Sequence, residues 1–115
     1  MPGVLRPDPV IRALQGAFCR DATRLDLLRV AAERMHAAGP PYGSVRMFLH
    51  EGEGMELAAQ VGEESEDRRP DLAVPVARRH EVLGRIEVTG SPPGTLGETE
   101  TAAVQEIADA LAVLL

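Results

Sequence analysis

Residues 71–91 read DLAVPVARRHEVLGRIEVTGS, and their pattern decides the fold. Leu72, Val74 and Val76 alternate with other residues, Val82, Gly84, Ile86 and Val88 alternate again, and Arg79-His80-Glu81 stands between the two runs. A strand turns successive side chains to opposite faces, so two alternating runs about a short polar turn predict a β-hairpin. Just upstream, Val45, Met47 and Leu49 alternate with Arg46, Phe48 and His50. Glu51-Gly52-Glu53-Gly54 then offers a turn, and Leu57, Ala59 and Val61 alternate once more. This predicts a second hairpin.

The flanks read as helices. Pro9 behind Asp8 suits a first helical turn, and Val10, Ile11, Leu14, Ala17 and Phe18 follow on one face. Asp21 or Thr23 offers a second N-cap, Thr23 with Asp26 three residues on as a weak capping box, opening a run to about Ala38. Leu25, Leu28, Ala32 and Met35 are its expected buried stripe. Gly39 and Pro40-Pro41 stop it. Cys19 to Ala22 holds no strong breaker, which leaves open whether these are two helices or one bent rod. Residues 1–7 are expected to be loose, Gly62 to Pro70 to be a solvated loop, and Gly90 to Gly97 to be a turn-rich connection. Glu98 to Leu115 closes the chain as a helix with acids in its first turn.

The order is two helices, four strands, one helix. That implies a single α+β domain over residues 1–115, an antiparallel sheet of four to five strands with the N- and C-terminal helices packed on one face. At 115 residues the chain is large enough to close a core without a disulfide or metal. Aromatics are only 3%, so Leu, Val, Ile, Ala and Met must build that core. Each fully buried side chain of this kind is worth about 1.5–3 kcal/mol before entropy is subtracted.

A net charge of −6 repels phosphate backbones and anionic membranes, so neither nucleic acid nor a membrane is an expected partner. No apolar run approaches the roughly 18 residues of a membrane span, and the first residues lack the basic start and long apolar stretch of a secretory signal. A cytoplasmic protein is expected, and the chain's size and start allow it to stand alone.

In three places the sequence resembles GAF domains. Leu72-Ala73-Val74-Pro75-Val76, followed by Glu81-Val82-Leu83-Gly84-Arg85-Ile86-Glu87-Val88, looks like that family's strand ending in Val-Pro-Leu, its turn, and its next strand. Leu96-Gly97-Glu98-Thr99-Glu100 is similar to the start of its closing helix, and Leu25 to Met35 with Ser44 to Leu49 to its second helix and first strand. The resemblance spans most of residues 10–115. It implies a GAF/PAS-like sheet with terminal helices on one face and a small-molecule site, roofed by a helix and loops, on the other. The chain departs from the family where the roof belongs: Gly62 to Pro70 is too short for a strand plus a lid helix, since a three-turn helix alone takes about 11 residues.

Strand periodicity tests that implication independently. With Leu57 and Val82 among the residues turned to the helices, the opposite face carries Arg46, Phe48, His50, Glu56, Leu83, Arg85 and Glu87. A largely charged, open face is unlike the apolar concave pockets that hold drug-sized ligands. Arg46, Phe48, His50, Arg85 and Glu87 are the candidate ligand-binding residues, and two arginines favour an anion. No metal or cofactor is expected.

The family includes a free methionine sulfoxide reductase, whose reaction uses several cysteines. This chain has one, Cys19, read as a buried or half-buried small apolar residue. His36 suits the negative end of a helix, and His80 sits at a hairpin turn. No serine has a positioned base. The reading is therefore a non-catalytic regulatory or protein-interaction module of a signalling system, with a small-molecule sensor as the alternative and an enzyme as the remote third. The last helix carries two adjoining apolar stripes where one suffices to cover a sheet. The surplus predicts a homodimer through Val10, Leu14, Phe18, Val104, Ile107, Leu111 and Leu114.

Overall fold

Both hairpins form where the alternation places them. In the computed structural model, which describes residues 6–38, 42–62, 69–90 and 96–115, β1 (Tyr42–Glu51) turns into β2 (Gly54–Gly62), and β3 (Leu72–Arg78) turns into β4 (Glu81–Gly90). Gly52 and Arg79 take the left-handed conformation at the two turns, with φ of 60° and 59°. β1 and β4 also pair, so the four strands run antiparallel in the order β2-β1-β4-β3. Gly84 permits that central pairing, because a Cβ there would overlap the Phe48 carbonyl of β1. The expected segments over 1–5, 39–41, 63–68 and 91–95 lie outside the described residues.

Three helices cover one face: α1 (Pro7–Cys19), α2 (Arg24–Ala37) and α3 (Glu98–Leu114). α2 lies on β1 and β2, α3 on β3 and β4, and α1 packs against both helices. Val45, Met47, Leu49, Val74, Val76, Ile86 and Val88 meet Leu27, Leu28, Ala31, Met35, Ile107 and Leu111 in one core. Tyr42, 1% exposed at the start of β1, joins it earlier in the chain than the alternation suggested.

The first two helices are separate, and Asp21 is the reason. It takes a left-handed φ of 61°, while the N–H of Ala22 bonds the Ala17 carbonyl and that of Asp21 bonds the Phe18 carbonyl. This is the Schellman ending that glycine usually supplies, and aspartate is one of the few other residues that tolerate it. Thr23 then opens α2 through the expected box: its hydroxyl accepts from the Asp26 N–H at 3.1 Å, and its own N–H donates to the Asp26 carboxylate at 3.3 Å.

Several expectations on burial are overturned. Leu25 is 56% exposed, because the buried stripe of α2 runs through Leu27, Leu28, Ala31, Ala32 and Met35. Cys19 is exposed, since Val10, Leu14 and Ala17 use up the inward positions of α1. Val10, Leu14, Val104, Ile107 and Leu111, all expected at a dimer contact, are between 0% and 2% exposed within the single chain. α3 packs on α1 as well as on the sheet, which leaves Phe18, 49% exposed, and the partly buried Leu114 from that set.

Asp26 ties the start of α2 to pH. The Thr23 backbone N–H, then its hydroxyl, then Arg29 at 2.9 Å hold this carboxyl below its ordinary value of 3.8. A carboxyl whose pKa falls on folding contributes stability above its unfolded value and loses that contribution as the pH drops through the folded one. Asp26→Asn is therefore expected to unfold at lower urea than the parent at neutral pH, with the gap closing below pH 3.8. A gap that persists in acid would show that the carboxylate's charge is not involved.

Candidate functional site

The outer face of the sheet is shaped by two bulges. β1 pairs Met47 with Ala59 but Phe48 with Leu57, so Ala58 is an extra residue in β2. β3 pairs Val76 with Gly84 but Ala77 with Val82, so Leu83 is an extra residue in β4. An inserted residue reverses the facing of the residues on one side of it relative to those on the other. Leu57 and Val82, expected against the helices, instead share the outer face with Phe48 and Ala77 and are 51% and 45% exposed. Ala58 and Leu83 are partly buried against the core. Strict alternation missed this exchange. The signal for it was present in Leu57-Ala58-Ala59 and Val82-Leu83, runs of adjacent apolar residues that an unbroken alternation does not allow.

Across the middle of that face runs a row with one residue from each strand: Leu57, Phe48, Arg85 and Pro75. The Arg85 guanidinium stands 4.9 Å from the centre of the Phe48 ring, and its Nε donates to the Glu87 carboxylate at 2.9 Å. The stacking uses the negative ring face, and the planar fork of arginine leaves further donors for a partner. The neighbouring row holds Gln60, Arg46, Glu87 and Ala73. Four of the five candidate ligand residues, Arg46, Phe48, Arg85 and Glu87, are thus adjacent on β1 and β4. Glu56, expected on the same face, is set opposite Leu49 by the bulge.

His50 stands apart from them. It lines a small depression of about 110 Å³ with Arg24, Glu81 and Leu115 at the hairpin end of the molecule. His36 is engaged elsewhere, its Nδ1 lying 2.8 Å from the Tyr42 carbonyl where the chain leaves α2 for β1. Among the described residues no three of His, Cys, Asp and Glu gather as a metal site would require. Asp71, which nothing in the sequence pattern singles out, holds the sheet together locally. Its carboxylate accepts the Gly90 N–H at 2.8 Å and pins the open end of the β3–β4 hairpin.

No protein-family profile matches this sequence, and no curated protein matches it. Solved structures do. A domain of an Acinetobacter phosphoenolpyruvate-protein phosphotransferase superposes with a TM-score of 0.73 at 13% identity, over 92% of this chain and 90% of that one, and it is a GAF domain. The fold here is that of a GAF domain. The phycoerythrobilin-bound GAF domain of a cyanobacterial phytochrome agrees, with a TM-score of 0.75 at 14% identity over 96% and 95% of the two chains. The type II free methionine-R-sulfoxide reductase of Thermoplasma acidophilum shares the GAF fold too, at 0.64 and 17% over 89% and 94%. Similarity this distant speaks to fold, and one fold hosts many activities. No helix among the described residues of this GAF-fold chain is long and apolar enough to cross a membrane.

Adjacent residues of β4 separate fold from surface. Ile86 is fully buried, and Ile86→Ala is expected to cost about 2–5 kcal/mol in urea unfolding. Arg85 is 43% exposed at its side chain, and Arg85→Gln is expected to cost about 1 kcal/mol or less. Comparable losses from the two would make Arg85 part of the scaffold.

Proposed function

We propose that this chain is a non-catalytic regulatory module that docks a partner protein on the outer face of its sheet. The observation that carries the reading is the central row, where Arg85 lies over Phe48 and the half-exposed Leu57 sits beside them. Protein interfaces concentrate arginine and aromatic residues at their centres, with apolar neighbours that exclude water. Only residues 63–71 separate β2 from β3, too few for the strand and lid helix that would roof a ligand chamber. A signalling role in the cytoplasm is part of the proposal, and the phosphotransferase and phytochrome GAF domains of the same fold are in keeping with it.

The second reading is a sensor of a small anion, favoured by Arg46 and Arg85 on one face. The reductase reading is the weakest. A thiol relay needs a second cysteine, and Cys19 lies on α1, behind the helical layer from that face. A photo-crosslinker at Leu57 is expected to trap in the native cell a protein that one at Arg12 on α1 does not, and Phe48→Ala should abolish the product. Equal labelling from both positions overturns the docking surface. Methionine sulfoxide turnover that vanishes in Cys19→Ala would overturn the non-catalytic assignment.

Self-association through the helices belongs to the same proposal. With five of the expected contact residues inside the core, the surface left for it is Phe18 with Leu25 and Val113, 49%, 56% and 73% exposed. Phe18→Glu is expected to halve the mass seen in sedimentation without loss of helix content. A parent chain that already sediments as a monomer removes the idea.

A further inference from the structure

The start of α1 and the end of α2 enclose a depression unlike the sheet face. Arg6, Pro9 and Val10 lie beside Arg34, Ala37 and Ala38 around a volume of about 300 Å³. Among the described residues its lining is two guanidinium groups and four apolar residues, the composition and the lower size limit of small-molecule sites. Neither arginine has an ion pair or hydrogen bond among the described residues. Asp8 and Glu33, the acids nearest in sequence, do not line the depression.

The position of Arg6 is the telling feature. It is the N-cap of α1, where the helix presents its positive end and where a cation is repelled. Pro7 and Pro9 remove two of the N–H donors that a helix start would otherwise offer an anion. Arg34 alone could be explained by the negative end of α2, in whose last turn it lies, but that does not account for Arg6. An anion between the two guanidinium groups would pair with both and would also suit the end of α1.

We propose that this depression binds an aliphatic carboxylate. Arg6 and Arg34 grip the carboxylate, for which the planar fork of arginine is matched, and a tail of about six to ten carbons lies on Pro9, Val10, Ala37 and Ala38. The site is on the helical side of the molecule and depends on nothing proposed for the sheet face.

Octanoate added to the nitrogen-15-labelled chain is expected to shift the amides of residues 8, 10 and 34–38 saturably. Octanol, with the same tail and no charge, should bind more weakly. Arg34→Gln is expected to weaken octanoate binding about tenfold, whereas Arg12→Gln, on an exposed position of the same helix layer, should leave it unchanged. Arg34 is exposed, so its replacement leaves the core intact. No saturable shift, shifts confined to the sheet, equal binding of octanol, or an unchanged affinity in Arg34→Gln would each overturn the proposal.

Discussion

An antiparallel sheet has two faces, and α2 and α3 cover only one of them. Val45, Met47, Val74, Val76, Ile86 and Val88 are all within 3% of full burial on that side, and the positions between them stay partly or wholly in water. Everything else in the molecule follows from which side chains are turned inward. Backbone pairing between β1 and β4 holds the centre of the sheet, and it requires the missing side chain at Gly84. The strands need no disulfide to stay together because each central residue is buried by helices drawn from both ends of the chain.

The two bulges convert that scaffold into a surface. Without them Leu57 and Val82 would lie inward, and Ala58 and Leu83 would take their places on the outer face. With them, an apolar residue from each hairpin is set on the face that also carries Phe48 and Arg85. Bulges serve such ends in many sheets, re-aiming a side chain where pairing can tolerate an extra residue. Glu87 meanwhile pairs with Arg85 along β4 and stands opposite Arg46 of β1 across the strands. The described part of that face is mixed in polarity and carries a stacked arginine at its centre, the features on which the proposed docking rests.

The helical layer uses more of its apolar surface internally than a two-layer picture assumes. α1 rests on α2 and α3, so apolar surface of α3 beyond what covers the sheet is available for a helix–helix contact within the chain. The separation of α1 from α2 makes this possible, because a continuous rod could not fold back on itself. One aspartate in a left-handed conformation produces the reversal.

Local chemistry was legible in the residues themselves: the hairpins from alternation, the start of α2 from Thr23 and Asp26, the one-sided α+β architecture from the order of elements. These depend on neighbours within a few positions, where periodicity and capping act directly. The facing of Leu57 and Val82 depended on strand register, which is set by pairing with β1 and β3 and not by the strand that carries the bulge. The exposure of Leu25 and Cys19, the core role of Leu111 and Ile107, and the meeting of Arg6 with Arg34 all depended on how helices distant in sequence pack together. Side-chain periodicity specifies that an element has an apolar side. Only the assembled core decides which of several apolar residues it has room for, since close packing admits some and leaves the rest to solvent.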